Sequence, residues 1–216
     1  MMKLSHRIPP TPWRAASTWG VRPRMLAPLY VGLVLFGIGE GLLVRSRLGA
    51  TPWTVFAQGV AAHLHVSLGW ATAGISAVVL LAWFPLREKP GFGTLSNFVV
   101  IAYVLDLTVA LAPAPSPMSV RFAYVVAAVA AIGVGSALYL TTGLGPGPRD
   151  GLMTSLHRHL GVSVVYVRLT LEVAVLIVGW LLGGTVGVAT ALFAATIGFS
   201  IGTSLRGLEW MLARTS

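Results

Sequence analysis

Residues 48–67 read LGATPWTVFAQGVAAHLHVS, and residues 144–163 read LGPGPRDGLMTSLHRHLGVS. The two stretches share one register at a fixed offset of 96 residues. Leu48, Gly49 and Pro52 match Leu144, Gly145 and Pro148. His63, Leu64, Val66 and Ser67 match His159, Leu160, Val162 and Ser163. Farther out, Gly37 and Gly39 match Gly133 and Gly135, and Gly91 and Thr94 match Gly187 and Thr190. Glycine and leucine matches alone come cheaply in an apolar chain. The joint register of Leu-Gly-x-x-Pro, His-Leu-x-Val-Ser and Gly-x-x-Thr does not, and it reads as an internal duplication.

Each stretch opens with glycine and proline, which interrupt the preceding helix. Each then restarts as a short helix with Pro52 or Pro148 near the first position, where a missing N–H costs nothing. Thr51 is a natural N-cap. A helix of about 12 residues is about 18 Å long, too short to span a bilayer. Two readings stay open. The helices are interfacial, with Trp53, His157, Arg158 and His159 at headgroup level. Or they are re-entrant, with Gly49, Thr51, Pro52, Trp53, Gly145, Gly147 and Pro148 forming a broken-helix motif whose positive N-terminal ends point at an anionic group of a substrate.

Composition sets the surroundings. Of the 216 residues, 56% are hydrophobic and 10% are charged, and the mean hydropathy is +0.82. A soluble domain carries about a quarter charged residues. This balance excludes a cytosolic enzyme, a disordered chain and a secreted module, and points to an all-α polytopic membrane protein. There is no cysteine, so disulfides and cysteine-ligated metal sites are excluded. No Walker lysine, HExxH or GxSxG motif occurs, so neither a catalytic residue nor a cofactor is expected. The net charge of +9 sits mainly in the N-terminal tail and the loops. Anionic lipid headgroups, rather than nucleic acid, are the expected partner.

Six stretches have spanning length, at roughly 26–44, 67–86, 94–112, 121–142, 164–182 and 186–204. Residues 1–24 are read as a loose, basic cytoplasmic tail with no removable leader. Residues 25–112 and 121–205 are the two transmembrane repeats, and 206–216 is a short cytoplasmic C-terminus. With the N-terminus inside, eleven Lys and Arg residues lie inside and three (Arg45, Arg47 and Arg121) outside. That bias predicts a multi-pass protein of the cell membrane with both termini cytoplasmic. Three spans per half then give two inverted-topology three-helix repeats, each with one short helix.

GLGPGPRDGLM, the following LHRHLGVSVVYVR and the segment GGTVGVATALFAATIGF resemble the YczE/YitT-type bacterial integral membrane proteins, on the YczE side. The resemblance covers most of residues 26–204 and implies a multi-spanning inner-membrane protein without a soluble C-terminal domain. The first-half motif of that family carries Asp after Pro-Trp, whereas this chain has Thr54.

Ionisable residues within spans are expensive and mark function by default. Glu40, Asp106, Arg168 and Glu172 fall there. Arg168 and Glu172 are four apart, which puts them on one helix face as an ion pair or as a coupling pair. Glu40 and Asp106 are placed in the outer half, within reach of Arg45 and Arg47. Asp150 lies at the start of the second short helix beside Arg149, as a dipole complement or as a ligand contact. His63, His65, His157 and His159 form His-x-His pairs that diverge around a helix and lack an acid at ligand spacing, so no metal site is expected. Gly198 and Gly202 read as a small-x-x-x-small packing pair. The offset partners of Glu40, Asp106, Arg168 and Glu172 are Ser136, Gly202, Thr72 and Ser76, so the charges are not symmetric. The expected function is a small permease or secondary transporter of a small solute, with its site between the repeats. The alternative is a non-transport membrane scaffold serving a partner complex. Association with a second copy stays open.

Overall fold

A computed structural model describes residue 9 and residues 11–214, and among these all regular secondary structure is helical. Eight helices follow in order: α1 (Pro23–Ser46), α2 (Pro52–Leu64), α3 (Leu68–Trp83), α4 (Phe92–Leu111), α5 (Met118–Thr141), α6 (Pro148–Leu160), α7 (Val164–Leu181) and α8 (Val188–Ala213). Helices α2 and α6 start and end 96 residues apart.

The ends of the short helices follow from local chemistry. Thr51 caps α2, its hydroxyl accepting from the Thr54 amide at 3.3 Å. Helix α2 stops at His65, in the left-handed region at φ 55°, and α6 stops at Gly161, at φ 66°. The approach to each helix makes a left-handed turn at Gly49 (φ 121°) and Gly145 (φ 116°), a conformation that side chains resist. There is also no room for one. A Cβ on Gly49 would sit 2.5 Å from the Thr190 hydroxyl, and one on Gly145 would sit 2.6 Å from the Thr94 hydroxyl. The backbone repeats the exchange. Leu48 O accepts from Ala189 N at 2.9 Å, and Leu144 O accepts from Gly93 N at 2.8 Å. Each half thus pins the break of the other.

Five helices are long and apolar enough to cross a membrane: α1, α4, α5, α7 and α8. Helix α3, expected as a span over 67–86, has 16 residues, or about 24 Å. It reaches spanning length only together with α2, from which it turns by 110°. Helix α8 runs past the expected end of its span to Ala213, so most of the expected C-terminal segment is helical.

The long helices α1 and α5 cross at the centre through glycine. A Cβ on Gly32 would meet Gly135 O at 2.7 Å, and one on Gly135 would meet Phe36 N at 2.9 Å. Helix α4 packs on α1, and α8 on α5. Helices α2 and α6 each lie between α3 and α7. One relation is not shared: α3 packs on α4, whereas α7 has no comparable packing on α8. Gly198 therefore faces nothing within 4 Å. The expected Gly198–Gly202 packing pair does not form as a pair, since only Gly202 is buried.

The tail also differs from expectation. Lys3 and Arg7 lie outside the described residues, but residues 11–19 are tied down rather than loose. Thr11 Oγ1 donates to Thr141 O at 3.1 Å, and Trp13 Nε1 donates to Thr141 Oγ1 at 3.2 Å. Ala15 N reaches Thr142 O at 2.7 Å, and Phe92 N reaches Thr18 O at 3.0 Å. Trp19 Nε1 donates to Pro90 O at 3.0 Å. The open carbonyls at the end of α5 need donors, and the tail supplies them.

Asp106 does not join Glu40. Its carboxylate accepts from Gly69 N at 2.6 Å and from the Ser67 hydroxyl. It fastens α4 to the N-terminus of α3, where a negative charge is favoured. Asp106→Ala is expected to lower stability by about 1–2 kcal/mol, the usual cost of a lost N-cap. A thermal melt in detergent checks this. A loss of function without a change in melting would mean that Asp106 acts elsewhere.

Candidate functional site between the broken helices

The N-terminal half of α2 is buried at Pro52, Trp53, Thr54 and Val55, while its C-terminal end is exposed from Ala62 to His65. Helix α6 follows the same gradient, from buried Pro148 to exposed Arg158, His159 and Leu160. An interfacial helix would instead bury one face along its whole length. Both helices thus aim their N-terminal ends at the centre of the molecule.

Glu40, 2% exposed on α1, stands where they converge. The hydroxyls of Thr51 (3.1 Å) and Thr54 both donate to its Oε2. Arg149, from the first turn of α6, places Nη1 3.9 Å from Glu40 Oε1. The same guanidinium lies over the Trp53 ring, 5.2 Å from its centre, a cation–π contact. Trp53 and Arg149 stand 96 positions apart, so equivalent positions of the two halves stack on each other. Arg149 accordingly stands where the two short helices meet.

Beside this contact lies a cavity of about 470 Å³. Its polar lining includes Arg149, Asp150, Arg168, Thr72, Ser76 and Ser136, and its apolar lining includes Phe36, Ile132 and Phe193. Tyr139 donates its hydroxyl to Asp150 Oδ2 at 2.7 Å. Arg168 Nε donates to Glu172 Oε1 at 2.8 Å, the ion pair that their spacing indicated. Thr72 is 3% exposed, and its hydroxyl has no protein partner among the described residues.

A family model described as a family of unknown function, DUF6198, matches residues 24–206. A Bacillus subtilis protein named uncharacterized membrane protein YczE is 30% identical over 191 residues, covering 86% of this chain and 89% of its own. The chain belongs to the YczE family. A Haemophilus influenzae protein, named only as uncharacterized, is 42% identical over 198 residues, covering 92% of this chain and 91% of its own. No solved structure matches the chain. The YczE kinship and the five to six apolar helices make it a multi-pass membrane protein.

Within this YczE-family chain the expected site residues divide. Arg149, Asp150 and Arg168 line one space; Glu40, with Thr51, and Trp53 join it through Arg149, and Glu172 through Arg168. Arg45 and Asp106 do not share it. Glu40 pairs with Arg149 rather than with Arg45 or Arg47, because Thr51 and Thr54 bring the broken helix back to it. The histidines bond to backbone instead: His63 Nδ1 lies 2.9 Å from Gly59 O, and His159 Nδ1 lies 3.0 Å from Ser155 O. Thr54 and Tyr139 were missed as carboxylate partners, and Thr72, Ser76 and Ser136 as lining. The offset could have found four of them. Thr54 stands opposite Asp150, Ser136 opposite Glu40, Thr72 opposite Arg168 and Ser76 opposite Glu172.

Proposed function

We propose that this YczE-family protein is a secondary transporter whose substrate binds where α2 and α6 meet. The observation that carries the reading is the pair of buried N-terminal helix ends joined through Glu40, Arg149 and Trp53, beside a cavity with charged groups in a largely apolar wall. Broken helices of this kind, in repeats of opposite orientation, form the central sites of many transporters. The reciprocal bonds of Leu48 and Leu144 support two inverted repeats, and the Lys/Arg bias supports cytoplasmic termini in the cell membrane. On this reading α2 and α6 are re-entrant, entering from opposite faces.

The unequal packing supports alternation. Gly69 of α3 packs tightly on Ala102 and Asp106 of α4. The corresponding residues are Val165 of α7 and Gly198 and Gly202 of α8, and these helices stand apart. In the opposite state α7 closes on α8 while α3 leaves α4. The chain has no cysteine, so the variant carrying Val165→Cys and Gly198→Cys gives a clean test. In liposomes the wild type is expected to move a small solute, read by electrogenic current or isotope uptake. Oxidation of the double variant is expected to join the helices and stop the flux, and reductant to restore it. An absence of flux across amino acids, carboxylates and amines, with no cross-link formed, would sink the transport reading.

A further inference from the structure

The cavity holds unmet valences of both signs. Arg149 carries five N–H donors, yet none makes a hydrogen bond to another described residue. Its one ion-pair contact is the 3.9 Å approach to Glu40. Helix α6 has no side-chain cap on its first amides, whereas α2 is capped by Thr51. The uncapped amides are ready donors to a carboxylate. It does not stand alone: the Thr72 hydroxyl, 3% exposed and unpartnered, lines the same cavity. Asp150 is exposed along that cavity, and the Tyr139 hydroxyl is the one hydrogen-bond donor to its carboxylate among the described residues. A carboxylate so placed accepts further donors.

The charge balance selects among ligands. Arg149, Arg168 and Asp150 line the cavity, and behind it Glu40 pairs with Arg149 and Glu172 with Arg168, so three carboxylates stand against two guanidiniums. A simple anion would deepen that excess inside a membrane, where unpaired charge is costly. A simple cation would leave the donors of Arg149 and the end of α6 unmet. A molecule carrying both charges satisfies both without changing the sum. The rest of the wall is apolar, with Phe36, Ile132 and Phe193, and about 470 Å³ accommodates a small molecule. Resting on the transport reading of this site, we infer that its substrate is a small zwitterion with an apolar side chain, of the amino-acid class. Its carboxylate meets Arg149 and the α6 terminus, and its ammonium meets Asp150.

The test is binding of chemically trimmed probes to the purified full-length chain in detergent, by calorimetry. L-leucine is expected to bind saturably. 4-Methylpentanoate, which lacks the amine, and 3-methylbutylamine, which lacks the carboxylate, are each expected to bind about 10- to 100-fold more weakly, as for a lost charged hydrogen bond. Arg149→Gln is expected to remove the preference for leucine over 3-methylbutylamine while leaving the amine's own affinity intact, which also reports that the variant is folded. Asp150→Asn is expected to remove the preference over 4-methylpentanoate. Thr72→Val is expected to weaken leucine by several-fold, roughly the worth of one neutral hydrogen bond. Equal or tighter binding of either trimmed probe, or no binding of leucine to the wild type, overturns the zwitterion assignment. Leucine binding without leucine counterflow in liposomes overturns transport and leaves the ligand class standing. Flux of another solute that leucine does not inhibit does the reverse.

Discussion

Arg149→Ala is expected to cost about 3 kcal/mol of stability and to abolish transport. Breaking a buried ion pair from one side costs about 3–5 kcal/mol, because the partner charge is left uncompensated. Glu40 is 2% exposed, so its carboxylate has no route to water. The Thr51 and Thr54 hydroxyls remain bonded to it, and the Arg149–Glu40 contact is a long 3.9 Å. Both facts place the expected loss at the lower end. The alanine also removes the cation from the Trp53 ring. A double-mutant cycle separates the two losses. Glu40→Gln combined with Arg149→Met is expected to recover at least half of the stability, since neither charge remains buried, and to recover no flux. Thermal melting and liposome uptake read the two quantities. An Arg149→Ala protein that melts like the wild type would remove the pair from the account of the fold.

The second large effect concerns the crossing of α1 and α5. Gly135→Val is expected to destabilise the protein by about 3 kcal/mol or more, the upper end for overpacking. A Cβ at Gly135 would approach Gly32 O at 2.5 Å, and that oxygen belongs to a backbone that cannot rotate away. The helices must separate, and small residues at such crossings are what allow close approach within a membrane. Phe36 and Tyr139 sit next to the crossing with ring centres 6.5 Å apart, and both border the cavity, so the site opens with the helices. Gly198→Val is the control. Nothing lies within 4 Å of a Cβ at Gly198, so its melting temperature is expected to stay within a degree or two. Near-identical melts for the two variants would show that the crossing is not a stabilising contact.

The breaks that define this architecture were legible because glycine and proline act locally. Gly49-x-x-Pro52 and Gly145-x-x-Pro148 mark where a helix stops and a new one starts, and both short helices begin at those prolines. Local spacing likewise placed Arg168 on Glu172. The partner of Glu40 was not legible, since Arg149 is more than a hundred residues away and arrives on a different helix. Distance along a span suggested Arg45 and Arg47, but the fold returns α2 to Glu40 instead. Asp106 was misread for the same reason: its acceptors serve the start of α3, 37 residues upstream at Gly69. The short span of α3 was overestimated because hydropathy does not show a bend.

The hydrogen-bonded strap of residues 11–19 carries a parity rule. It joins Thr18 to Phe92 and Thr11 to Thr141, so the segment before α1, the start of α4 and the end of α5 share one side of the membrane. An even number of passages must then lie between Pro23 and Phe92. Helix α1 supplies one and the bent pair of α2 and α3 together supplies one more, which leaves α2 no passage of its own. The same ties set an order during synthesis. The strap finds its last acceptors only after residue 142 has been made, so the tail waits on its side while all five helices from α1 to α5 are made and inserted. A chain inserted with one passage too many would place Trp13 and Thr141 on opposite sides, and the strap could not close.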